Sequence, residues 1–113
     1  MPERRHTVRK KFGFYMRVLD DETEATIGHL VDMSIEGLQL ETPTPPSRGQ
    51  EFHMRMELTP DVSDSLFLFV TARAIWYEID AIMPNLYHVG FRITNVSEHD
   101  KEIYKRLLEK YGK

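Results

Sequence analysis

Glu51–Leu58 reads EFHMRMEL: Phe52, Met54, Met56 and Leu58 alternate with Glu51, His53, Arg55 and Glu57 without interruption. Successive side chains of an extended chain point to opposite faces, so this segment has one apolar face and one wet face. That is the pattern of a strand half-buried in an antiparallel sheet. The same period runs outward from it in both directions. Upstream, Thr42–Gln50 (TPTPPSRGQ) carries three prolines and a glycine and is expected to form a loop. Leu38 and Leu40, set between Gln39 and Glu41, predict a short strand before it. Ile27, Val31 and Met33 predict another near 24–33, less regular because Leu30 falls on the opposite side and His29 falls on the apolar face. Phe12, Phe14, Met16 and Val18 alternate with Gly13, Tyr15 and Arg17, which places a first strand near 11–19. Downstream, Leu66–Tyr77 is a long apolar run expected to be buried on both sides at its start, with Phe67 and Phe69 in the core. Tyr87, Val89, Phe91 and Ile93 complete a sixth strand.

After that the period changes. Ile103, Tyr104, Leu107, Leu108 and Tyr111 share one helical face, expected to be core, while Glu102/Arg106 and Lys105/Glu109 are i,i+4 pairs away from it. Ser97 and Asp100 have capping-box spacing, and Gly112 is a stop signal, so a helix is predicted over about 98–110. Six short strands and one terminal amphipathic helix make an all-β antiparallel barrel or sandwich. With 113 residues and no repeat or linker, the chain has material for one core and one domain. It contains 0 cysteines, which removes disulfides, Cys-based metal sites and thiol nucleophiles. The basic start, MPERRHTVRKK, lacks the apolar run of a signal peptide, and the longest apolar stretch, around Leu66–Ala72, is far short of a membrane span. A cytoplasmic protein that does not insert into membranes is expected.

The charge is unevenly distributed. Residues 1–17 carry six cations against Glu3 alone, a net of +5, while the other 96 residues carry nine cations against 17 acids, a net of −8. A basic arm therefore precedes an acidic body. All its cations before Lys10 are arginine, whose planar fork suits phosphate oxygens and base edges.

Catalytic chemistry has no visible carrier. His6, His29, His53, His88 and His99 show neither pairing nor a carboxylate at ligand spacing, and are expected to be scattered over the surface. No nucleophile elbow, phosphate loop or zinc motif occurs. Trp76, the only tryptophan, is expected to pack in the core or at its rim, with a stacking platform as the other reading. Two short patterns remain. Arg5 and Arg9, preceded by Arg4, form R-x-x-x-R, which places two guanidiniums on one side of an extended segment. Asp32, Ser34 and Gly37 form D-x-S-x-x-G, which a chain of this composition produces by chance about 0.02 times. Asp32 and Ser34, two apart at a strand end, point the same way, and Gly37 is expected to permit a left-handed turn. An ionised Asp can accept from two N–H donors, as on the Watson–Crick edge of guanine, or can simply cap the turn.

The two patterns in this order, one before the first strand and the other after the second, resemble the PilZ family of cyclic di-GMP receptors. Arg73–Trp76 (RAIW) is similar to the family's strand of small residues ending in Trp, and His88–Ile93 (HVGFRI) to its late strand with a Gly before an aromatic or aliphatic residue. The resemblance covers nearly the whole chain. It implies a six-stranded antiparallel β-barrel with a C-terminal helix over 11–113, led by a flexible arm over 1–10. It further implies that Arg5 and Arg9 hold the ligand's phosphates and contact guanine, with Arg4 as a supplementary cation. Asp32 and Ser34 would read guanine edges, and Gly37 would shape the turn. The implied function is a non-enzymatic second-messenger receptor, with no metal or cofactor, whose arm folds over cyclic di-GMP and which signals through protein partners. Two other classes fit parts of the sequence: a small barrel binding single-stranded nucleic acid, which the −8 body disfavours, and a ligand-independent interaction module.

Overall fold

A computed structural model describes residues 16–58, 60 and 64–111; the arm with Arg4, Arg5 and Arg9, the expected strand residues 11–15 and Gly112 lie outside the described residues. Among the described residues there are six strands, β1 (Met16–Asp20), β2 (Thr26–Met33), β3 (Gly37–Thr42), β4 (Glu51–Glu57), β5 (Phe67–Ile79) and β6 (Tyr87–Asn95), followed by one helix, α1 (Glu98–Tyr111). The strands close into an antiparallel barrel in the order β1-β2-β3-β6-β5-β4, with β4 pairing back onto β1 through Val18 and Met56. Closure leaves no open sheet edge.

The period-two signal of Glu51–Leu58 is realised directly: Met54 and Met56 point into the core, Glu51 and His53 are exposed, and Phe52 is half-buried against the core. Inward residues from all six strands, among them Val18, Leu30, Leu40, Met56, Leu68, Val89 and Phe91, fill the barrel. The interior is solid side chain, so a ligand has to sit on its outside. The Pro-rich loop begins one residue later than expected, because Thr42 still belongs to β3 and is fully buried.

β5 corrects the expectation of a strand buried on both sides. Leu68, Val70, Ala72 and Ala74 point inward, whereas Phe67 and Phe69 point outward. Phe69 is 42% exposed, and Phe67 is half-buried beneath the Arg55 guanidinium, 4.9 Å from its ring centroid. A run of apolar residues hid the alternation, because the outer positions happen to be apolar as well.

β2 departs from a single period for another reason. Its pairing with β3 runs Leu30↔Leu40, Asp32↔Gln39 and Met33↔Leu38, so Val31 is an extra residue and the register shifts there. This β-bulge lets both Leu30 and Met33 face the core although they are three apart. The irregularity in the sequence is the bulge itself, and Leu30, expected to point away, is a core residue.

α1 lies against the barrel with Ile103, Tyr104 and Leu107 in the same core and Leu108 partly buried on it. Its start is capped as the spacing predicts: Ser97 Oγ accepts from Asp100 N at 3.2 Å and donates to Asp100 Oδ2 at 2.7 Å. Asp100 also accepts from Phe69 N at 3.4 Å, which ties the cap to β5. At the far side, the Tyr104 hydroxyl donates to the Ser34 carbonyl at 2.5 Å, with the Gly37 carbonyl 3.1 Å away. Burial pushes its phenol above the ordinary tyrosine range, so it stays a donor across all working pH. The helix thus holds the turn between β2 and β3.

Two substitution experiments follow from this packing. Leu68→Ala removes a fully buried side chain and is expected to cost about 2–5 kcal/mol in denaturant unfolding, whereas Phe69→Ala on the outer wall costs far less. Equal losses would contradict the inside–outside alternation of β5. Tyr104→Phe removes the bond to the turn while keeping the ring, with an expected loss of about 1–2 kcal/mol. An unchanged midpoint would show that the contact contributes nothing.

Candidate functional site

A groove of about 220 Å³ lies on the outer face of β2, β3, β6 and β5. Two irregularities in pairing make it. The bulge at Val31 turns Asp32 outward, opposite Gln39, where strict alternation from Leu30 would have turned it into the core. On β5 the register shifts between Ala74 and Trp76, so Ile75 is the extra residue and Trp76 faces outward opposite Gly90. Strict alternation from Ala72 and Ala74 would have buried the indole. Both side chains therefore reach the groove because a single residue is inserted ahead of each.

Trp76 is 38% exposed and lies across Gly90, where an added Cβ would meet indole atoms at 2.3 Å. Only glycine lets the ring sit this close to the sheet. Of the two readings of Trp76, packing within the core is excluded, and its place at the rim leaves the indole at the groove.

Asp32 and Ser34 both line the groove, as their spacing predicts. Asp32 Oδ1 accepts from Met33 N at 2.9 Å, which fixes the carboxylate at the strand end. Ser34, Ile35 and Glu36 connect β2 to β3, closed by Ser34 N donating to Gly37 O at 2.9 Å and held to β6 by Ile93 N donating to Glu36 O at 3.0 Å. Gly37 does not adopt a left-handed conformation: the positive φ angles among the described residues belong to Glu24 and Gly49. Glycine is required at 37 by close approach instead, since a Cβ there would meet the Phe91 carbonyl oxygen at 2.1 Å. The turn can press against β6 only without a side chain at that point.

The histidines are not all scattered surface residues. His88, expected among them, is 6% exposed on the outer side of β6 next to Gln39 and Glu41 of β3. Its Nε2 lies 2.6 Å from Asp80 Oδ2, and its Nδ1 lies 3.3 Å from Gln39 Nε2. Asp80 Oδ1 also accepts from the backbone amides of Ile82 at 2.8 Å and Met83 at 3.0 Å. The Met83 amide first, then His88 and the Ile82 amide, hold the Asp80 carboxyl well below the usual carboxylate range. Ligand-type atoms of Glu41, Asp80 and His88 all lie within 4.8 Å of one another. Sequence spacing gave no sign of this cluster, because strand pairing and the turn after β5 assemble it from three separate segments.

The groove combines a carboxylate, a hydroxyl, an amide and an aromatic plane. Among the described residues lining it, Arg92 is the one cation, set against Asp32 and Glu36. Such a wall suits a planar base with N–H donors far better than it suits a phosphate. No helix among the described residues is long and apolar enough to cross a membrane.

Among solved structures, the chain is similar to the Bacillus subtilis inhibitor of motility MotI/DgrA (TM-score 0.64, 13% identity, covering 86% of this chain and 48% of that one). It is equally similar to K. pneumonia MrkH in its apo state (TM-score 0.64, 13% identity, 86% and 45%). The PilZ domain of Escherichia coli YcgR, solved with c-di-GMP, matches with a TM-score of 0.62 and 18% identity over 86% of this chain and 80% of that one. The chain spans about half the length of MotI/DgrA and MrkH, and at these identities the likeness is one of fold. No curated protein matches it. A sequence profile described as the PilZ domain matches residues 3–110, which takes in the arginine-rich start, every described strand and nearly all of the helix, and the chain belongs to the PilZ domain family.

Proposed function

We propose that this chain is a cyclic di-GMP receptor domain without catalytic activity. The observation that carries the reading is the outward-facing Asp32 beside Ser34 and the Trp76 plane, in a groove whose described wall holds more acid than base. Cyclic di-GMP has two guanines, which such a wall can read and stack, and two phosphates, which it cannot neutralise alone. The cations must come from elsewhere in the chain, and the arginine-rich start supplies them. In this reading Arg5 and Arg9 grip phosphate and contact guanine, and Arg4 adds charge. The Asp32 carboxylate accepts from N1–H and the 2-amino group of one guanine. Ser34 adds an adaptable hydroxyl contact, and Gly37 keeps the turn close to β6. Trp76 offers a stacking surface at the groove's rim.

Residues 1–10 act as an arm that folds over the ligand, and the barrel with its helix over 11–113 is the body it closes on. Closure of the arm changes the surface presented to a protein partner in the cytoplasm, which makes the domain a second-messenger effector. The −8 body repels long polyanions, consistent with a compact nucleotide as the ligand.

Titration calorimetry with cyclic di-GMP at micromolar protein tests the reading. Saturable binding is expected for the wild-type chain. Arg5→Ala, Arg9→Ala and Asp32→Ala each remove a charge-assisted bond of about 1.5–3 kcal/mol and are expected to weaken binding by roughly 10-fold to over 100-fold. Absence of heat with the wild-type chain, or Asp32→Ala binding as tightly as wild type, would overturn it.

A further inference from the structure

Gln39 stands directly opposite Asp32 in the β2–β3 pairing and lines the same groove. Side chains paired in this way have Cβ atoms about 4.5–5.5 Å apart, so the amide and the carboxylate are within reach of one planar base. A glutamine amide presents either an acceptor or a donor at a given point, depending on which way it is turned, and only the acceptor complements a guanine amino group. What turns it is therefore a matter of specificity.

In the structure it is the Gln39 Nε2 atom that faces His88 Nδ1, and the hydrogen bonds behind it match that orientation. Asp80 is fixed by the amides of Ile82 and Met83, which with His88 hold its carboxyl well below the usual carboxylate range and keep it ionised, so it can only accept. The proton between Asp80 Oδ2 and His88 Nε2, 2.6 Å apart, therefore belongs to His88 Nε2. In the neutral imidazole this leaves Nδ1 bare, as an acceptor. The Gln39 group 3.3 Å from that nitrogen must then be the donor, the NH2. With its NH2 committed to His88, the amide offers its carbonyl oxygen as the acceptor for anything bound beside Asp32.

We propose that Asp80 and His88 are positioning residues that fix the Gln39 amide, and that Gln39 Oε1 joins the Asp32 carboxylate in reading the 2-amino group of a bound guanine. This rests on the reading of the groove as a cyclic di-GMP site. Asp32 takes N1–H and one hydrogen of the amino group, and Gln39 takes the other. Three donor hydrogens then meet three acceptor positions, an arrangement that adenine or hypoxanthine cannot match. Asp80 and His88 touch no ligand; they act through the orientation of one amide.

The test compares cyclic di-GMP with its cyclic di-inosine analogue, which lacks only the 2-amino groups. Gln39→Leu is expected to weaken cyclic di-GMP roughly tenfold, the worth of one hydrogen bond of about 1–1.5 kcal/mol, while leaving cyclic di-inosine unchanged. Asp80→Asn is the sharper variant. The asparagine carbonyl can still accept from the Ile82 and Met83 amides, but its NH2 now faces His88 Nε2, which forces the imidazole proton onto Nδ1 and turns the Gln39 NH2 toward the groove. Preference for the 2-amino group should fall at least as far as with Gln39→Leu, and imidazole 15N shifts should report protonation moving from Nε2 to Nδ1. A loss of packing alone would weaken both ligands alike and leave their ratio intact. An unchanged ratio in Gln39→Leu overturns the proposal while the receptor reading stands, as does a wild-type His88 that carries a proton on Nδ1, with or without one on Nε2. Failure of the wild-type chain to bind cyclic di-GMP overturns both.

Discussion

One extra residue on each of two strands determines what the outer wall of this barrel can do. Because side chains alternate strictly along a strand, a residue inserted ahead of Asp32 and another ahead of Trp76 move each from the core side to the outside. Without the bulge at Val31, a carboxylate would be driven into a solid apolar interior, where an unpaired charge is costly. Without the one at Ile75, an indole would compete for volume already filled by Phe91 and its neighbours. The bulges relieve both conflicts and bring an acid and an aromatic plane to the same groove.

Two glycines make that groove possible. Gly90 lets the Trp76 ring lie close against β6, and Gly37 lets the turn that follows Ser34 press against the Phe91 carbonyl. Tyr104 then ties the same turn to the terminal helix. The D-x-S-x-x-G segment is thus held by β6 on one side and by α1 on the other, while its polar side chains stay on the wet face. Beside it, contacts run from Asp80 in the turn after β5 through His88 of β6 to Gln39 of β3, a third polar group at the groove. The wall is pre-organised, which reduces the entropy lost when a ligand binds.

The sequence made much of this legible. The unbroken alternation of Glu51–Leu58 gave the half-buried strand, the change of period after Asn95 gave the helix, and Ser97 with Asp100 gave its cap, because each of these signals is local. The likeness to a known family rested on two short motifs, and the match over residues 3–110 bears it out. Other features were hidden for physical reasons. Leu30 looked misplaced because a bulge changes parity without changing composition. Phe67 and Phe69 looked like core because an outer wall can carry apolar residues. Gly37 reads in the sequence as a position of backbone handedness, whereas what demands it is a carbonyl on a strand more than 50 residues away in the chain. His88 and Asp80 meet only after β5 and β6 pair, and nothing in their spacing marks them as partners.

The central claim is that a guanine nucleotide occupies the outer groove beside Asp32 and Trp76. A 15N-resolved NMR titration of the full chain with cyclic di-GMP tests it most directly. The amides of Asp32, Ser34, Gln39 and Gly90 and the indole N–H of Trp76 are expected to shift together and saturate with one affinity, with little change along β4. Shifts confined to β4 and the Pro-rich loop, or an unmoved Trp76 indole and Asp32 amide at saturation, would contradict the account.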